Sequence, residues 1–199
     1  NTIDVNSAMV VLCNQNIDHF QFAINANGGN GHLDAYIGGT GSWTPSQSWS
    51  PNQWYHITVV RENGIAKFYR DGIYISESNN NGSITRSALD IGYRSFNSAH
   101  PCKGNTDEVC IWNTALTPAE IQSYMSTPPT GSETGLAGYW NFNEGSGTTV
   151  TDQTSNGNDG TITGASWSTE VGSPSYVLSG TPGLSDGGLH NVVLTADDS

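Results

Sequence analysis

Positive charge is what this chain has least of. Six Lys and Arg stand against 18 Asp and Glu, a formal net charge of -12. All six cations (Arg61, Lys67, Arg70, Arg86, Arg94, Lys103) lie before residue 104. That excludes the phosphate-neutralising surface on which nucleic-acid binding depends, and it disfavours anionic membranes for the same reason. No apolar run is long enough to span a bilayer, which argues against membrane insertion. Helix-forming runs are scarce beside 24 Gly and only 12% charged residues, so an all-β, loop-rich, secreted type of chain is expected rather than an α/β enzyme. Cysteine is sparse and odd in number: Cys13, Cys102 and Cys110. One bridge with one free thiol is open, Cys102 and Cys110 being the nearest pair, and so are buried, reduced cysteines acting as small hydrophobes. No CxxC, G-x-S-x-G, P-loop or H-E-x-x-H pattern occurs. The chain opens at Asn1 without an initiator Met or a leader, which fits a processed protein or a piece of a longer one.

The centre of the sequence is three strands written with their turns. Trp54-Tyr55-His56-Ile57-Thr58-Val59-Val60 is β-branched and aromatic, and Asn63-Gly64 follows as a tight turn. Ile65 to Arg70 interleaves apolar and polar residues, and Asp71-Gly72 turns the chain again before Ile73-Tyr74-Ile75. An antiparallel meander over 54–76 is expected. Upstream, Ala8 to Leu12 reads as a strand, and Phe20 to Ile24 with Leu33 to Ile37 as a hairpin around an Asn/Gly loop. Residues 38–53 read as a polar loop carrying Trp43 and Trp49. Downstream, Thr117-Pro118-Ala119-Glu120 combines an N-cap, a proline at the first helical position and a capping-box Glu, so a short helix over Pro118–Met125 is expected, stopped by Pro128-Pro129.

In order, Trp54-Tyr55-His56, Asn63-Gly64, Lys67-Phe68-Tyr69, Asp71-Gly72, Leu89-Asp90-Ile91-Gly92 and Asp107-Glu108-Val109-Cys110-Ile111-Trp112-Asn113 resemble a laminin-G-like, concanavalin A-like jelly roll. The helix that follows resembles the one that ends such domains, so the likeness covers about 1–126. The fold this implies is all-β: an antiparallel β-sandwich with one short helix. Gly138 to Thr148 and Asp152 to Thr161 resemble the first strand and loop of another such module, and Ser179-Gly180-Thr181-Pro182 with Leu189 to Asp197 resembles part of an Ig-like or cadherin-like repeat. Strands missing at the front would leave an open core face. The expected organisation is therefore a jelly roll over 1–170, its core 1–126 completed by 136–167, with 171–199 as linker and the start of the next module.

Ca²⁺ is the expected cofactor. The resemblance implies a structural calcium joining first strand to last, with Asp107, Asn143 and Glu144 as counterparts of its ligands. Separately, Asp152-x-Thr154-x-Asn156-Gly157 has the oxygen-rich alternation of calcium loops, although Thr163 stands where an EF-hand needs its Glu. The alternative is an acidic turn solvated by water. Loop aromatics Trp43, Trp49, Tyr93 and Phe96 are the candidate ligand-binding residues, since such rings stack on sugars while their polar edges hydrogen-bond. For each tryptophan the alternative is folding back into the core, and for the Tyr93 loop a solvated connector. Catalysis lacks an E-x-D-x-x-E strand, and Asp107-Glu108 as neighbours in a regular strand would face opposite ways. The expected function is non-catalytic glycan binding or adhesion at a cell surface. A structural spacer is the alternative, and a polysaccharide-cleaving enzyme a third.

Overall fold

The computed structural model describes residues 8–14, 20–27, 30–37, 40–50, 52–82, 89–92 and 104–169. Tyr93, Phe96, Cys102 and the Ig-like or cadherin-like stretch lie outside them. Two antiparallel layers enclose one core. The larger is a six-stranded sheet in the order β4-β3-β2-β1-β9, with β5 also on β3. Its strands are β1 (Ala8–Asn14), β2 (Phe20–Asn27), β3 (Asn30–Ile37), β4 (Thr40–Trp43), β5 (Gln47–Ser48) and β9 (Leu89–Ile91). Facing it is the meander β6 (Ile57–Glu62), β7 (Ile65–Arg70) and β8 (Ile73–Asn79). Both of its turns have positive φ at both central residues, 50° and 75° at Asn63-Gly64 and 53° and 71° at Asp71-Gly72, the geometry that matches strand twist.

The polar loop expected over 38–53 contains strands instead. β4 and β5 run along β3 as one interrupted edge, broken where Thr44 N–H donates to Leu33 O and Thr44 Oγ1 accepts from Leu33 N–H. Pairing with β3 rather than apolar alternation makes these short segments strands, so Gly, Ser and Thr serve in them. Trp54–His56, by contrast, precede the ladder, which starts at Ile57.

The core joins Phe22, Ile24, Leu33 and Ala35 of the larger sheet to Ala66 and Phe68 of β7 and to Val109, Trp140 and Val150. Trp140 comes from β11 (Leu136–Trp140), which pairs antiparallel with β10 (Val109–Trp112). Val150 comes from β12 (Thr149–Val150), paired with β13 (Gly160–Thr161). The segment after the helix thus fills space between the same two layers as residues 8–112. Helix α1 (Pro118–Ser126) has both arms of its capping box and seats Ile121 on Val60 and Tyr69, covering the outer face of the meander. No helix among the described residues is long and apolar enough to cross a membrane.

Candidate functional site

Antiparallel register decides which side chains share the outer face of the six-stranded sheet, because directly opposed residues point the same way. Leu33, Ala35 and Ile37 are buried in β3, so His32, Asp34 and Tyr36 face out. Tyr36 opposes Gly41 on one side and Gln21 on the other, and Asp34 opposes Trp43. The row through Gln21 continues by way of β1 to Asp90. The ring of Tyr36 lies across Gly41: a Cβ there would meet Tyr36 Cε2 at 2.8 Å and Trp43 Cζ3 at 3.1 Å. Glycine is what lets two aromatic rings converge at the sheet edge. Beside them His32 Nε2 lies 3.2 Å from Asp34 Oδ1. The result is an aromatic pair flanked by carboxylate, imidazole and amide groups on rigid strands.

Trp43 is 62% exposed on this face. Trp49 is not a surface platform: it is 4% exposed, packed in the core, with its indole N–H donating to Gly31 O at 3.3 Å. The correction has a simple cause. Trp43 is placed outward by its pairing with Asp34, whereas Trp49 follows β5 inward and meets Tyr55 edge-on at 5.0 Å.

A second feature lies at the seam between the layers. Gln47, Arg70, Asp71, Ile73, Tyr74 and Ile75 line a hollow of about 200 Å³. Sequence reading missed both this group and the Tyr36–Asp34 pair. Arg70 and Ile73 look like ordinary meander residues, and only the Arg70 Nη1 bond to Ser48 O, which ties β7 to β5, sets them beside Gln47 around one hollow.

Each of the expected calcium ligands has partners within the chain. Among the described residues no group of three or more His, Cys, Asp or Glu comes close enough to hold a metal ion. Asp152 is buried, and its carboxylate accepts from Tyr139 N, Thr154 N and Thr154 Oγ1 at one oxygen and from Asn158 N and Nδ2 at the other. Five donors use the acceptor capacity of a carboxylate. Burial pushes its pKa up, but the N–H groups of Thr154, Asn158 and Tyr139 outweigh that and hold it below the usual range. Asn156 donates to Ala137 O, so the oxygen-rich loop clasps β11. Asn143 is exposed, and its N–H donates to Asn141 Oδ1. Asp107 Oδ1 accepts from Glu108 N. Glu144 Oε1 accepts from Thr151 N at 2.7 Å, while its buried Oε2 has no hydrogen-bond partner.

Asp107-Glu108 is not regular strand either. Glu108 sits at φ 53° and accepts from the Tyr139 hydroxyl. Burial raises the Glu108 pKa, against the pull of that hydrogen bond. Cys110 carries a free thiol, pushed up to about 12 by burial and by Glu108 and Glu133, so it is an inert small hydrophobe.

No curated protein matches the chain at a significant level. A candidate carbohydrate-binding protein of Bacteroides ovatus shares the fold at TM-score 0.62 and 21% identity, over 80% of this chain and 47% of that one. This chain therefore spans about half of that structure's length. An S-layer domain-containing protein of Clostridium thermocellum aligns at TM-score 0.33 and 15% identity, over 62% of this chain and 65% of that one. A family model matches residues 1–122, and on that match and the two-layered antiparallel sandwich described above, the chain belongs to the concanavalin A-like lectin/glucanases superfamily.

Proposed function

We propose that this module binds a glycan without cleaving it, on the outer face of the six-stranded sheet, with Trp43 as the stacking platform. The observation that carries the reading is the exposure of Trp43 on an ordered strand, its ring and that of Tyr36 both reaching over Gly41 and its neighbour Asp34 able to accept from sugar hydroxyls. A large ring left mostly in water on a rigid strand can stack on a sugar without rearrangement of the scaffold. Membership of a superfamily that includes lectins, and the description given to the Bacteroides ovatus protein, support the same class of ligand.

The non-catalytic part rests on spacing. On this face Asp34 and Asp90 stand three strands apart, roughly 14 Å at the usual inter-strand distance. Glycoside hydrolysis needs its two carboxyls within about 5–9.5 Å.

A glycan array, followed by titration of its hits, tests the reading. Trp43→Ala should weaken binding at least about tenfold, near 1.4 kcal/mol, and leave Tm within a degree or two. An array without hits, or a variant that binds as well as the parent, would leave a spacer. The proposal also places the module outside the cell, where polysaccharides are met; antibody access on intact cells checks this.

Calcium as a stabiliser is proposed at Glu144 alone. The support is its buried Oε2 without a donor, a type of oxygen that a hard cation satisfies. Millimolar calcium should then raise Tm and a chelator lower it, by mass action on the native state. Identical melting curves would remove calcium from the account.

A further inference from the structure

We propose a second ligand site, at the β7–β8 turn, that takes a single uronic-acid residue by its carboxylate. It is separate from the Trp43 face and stands on the hollow between β5 and the start of β8.

Arg70 is the reason. Its guanidinium carbon lies 5.2 Å from the centroid of Trp49 and 5.6 Å from that of Tyr55, and Nη1 donates to Ser48 O at 3.0 Å. Two rings and one carbonyl fix the plane of the group, so little orientational freedom is left to lose on binding. One of its five N–H donors is thereby used. The nearest carboxylate oxygen, Asp71 Oδ2, is 3.8 Å from Nε, beyond hydrogen-bond length, and no other hydrogen bond from this guanidinium forms among the described residues. A planar fork held in place with its donors unspent matches a carboxylate bidentately.

The other lining residues fit the rest of a sugar acid. Asp71 is fixed by accepting from His56 N at 2.9 Å, and its second oxygen can take a ring hydroxyl. Gln47 also lines the hollow, its Nε2 donating to Pro45 O and Ser46 O and its Oε1 able to accept from a ring hydroxyl. Ile73, which opposes Arg70 and so shares its face, is 69% exposed, an apolar wall for the C–H face of the ring. The volume is below the roughly 300–1,000 Å³ of sites that enclose drug-sized ligands, so one sugar ring is the unit bound. Asp71 beside the fork tolerates one negative charge better than the two of a phosphate. The formal charge of -12 repels a long polyanion, so an isolated or terminal uronic acid is preferred over a continuous polyuronate.

The test is titration of the full chain with methyl glucuronide and methyl glucoside, read by NMR. The glucuronide should bind at least about tenfold more tightly, 1.4 kcal/mol. Arg70→Lys keeps the charge and loses the fork, and should weaken it by a similar factor. Because Arg70 also stacks on core Trp49, Ile73→Ala serves as the exposed variant whose folding is not at stake; it too should weaken binding. Trp43→Ala should leave glucuronide binding unchanged, which keeps this site distinct from the sheet face whether or not that face binds. Equal binding of the two glycosides, or an Ile73→Ala chain that binds like the parent, would overturn the proposal, as would loss of binding in Trp43→Ala.

Discussion

Asp152 shows how one residue can be read correctly as to type and differently as to use. The alternation Asp152-x-Thr154-x-Asn156 marks an oxygen-rich loop. Yet three of the five donors to that carboxylate come from residues close in sequence, one more from the Asn158 amide, and one from Tyr139 N, thirteen positions back on β11. Spacing within a loop says nothing about a donor that arrives from another strand. Asp152→Ala would leave buried N–H groups unpaired and should cost about 3 kcal/mol in urea unfolding. Because the folded pKa is depressed, this stability is present above the ordinary carboxylate range and lost as pH falls through the lower folded value. Acid titration of the parent should show that loss and the variant should lack it. The two tryptophans teach the same point. Trp43 and Trp49 are six residues apart in one polar stretch, and which of them faces water is decided by pairing with β3.

At the scale of elements the turns were the most legible part. Asn63-Gly64 and Asp71-Gly72 specify left-handed backbone, and both hairpins follow from them. Gly64 has a further constraint: a Cβ there would lie 2.0 Å from Asn81 Oδ1, at φ 75°. Gly64→Ala should therefore cost about 2 kcal/mol. Its urea midpoint should fall while the m-value holds, and an unchanged midpoint would mean that the turn relaxes freely. The capping box of α1 was equally legible, because all its parts lie within four residues. β4 and β5 were hidden. Small and polar residues dominate them, with no apolar alternation to read, and what holds them as strands is Tyr36 over Gly41 and the Ser42 Oγ bond to Asn79 O, 37 residues away.

For the whole molecule, the order of strands carried the fold class, whereas neither candidate site could be assembled from order alone. The Trp43 face draws on three neighbouring strands, and the hollow on β5, β7 and β8. Trp140 and Val150 supply large buried side chains to a core otherwise built before residue 113. A chain ending at residue 126 should consequently lack a cooperative melt followed by circular dichroism, since removing a fully buried aromatic alone costs about 3–5 kcal/mol of a typical 5–15. A sharp transition in that shortened chain would show the front part to be sufficient by itself. The central claim, glycan capture on the six-stranded sheet, is tested most directly by mapping backbone amide shifts while an array-selected oligosaccharide is titrated into the full chain. Perturbations concentrated at Gln21, His32, Asp34, Tyr36, Gly41 and Trp43 are the predicted result. Shifts confined to other surfaces, with these six amides unmoved at saturation, would contradict it.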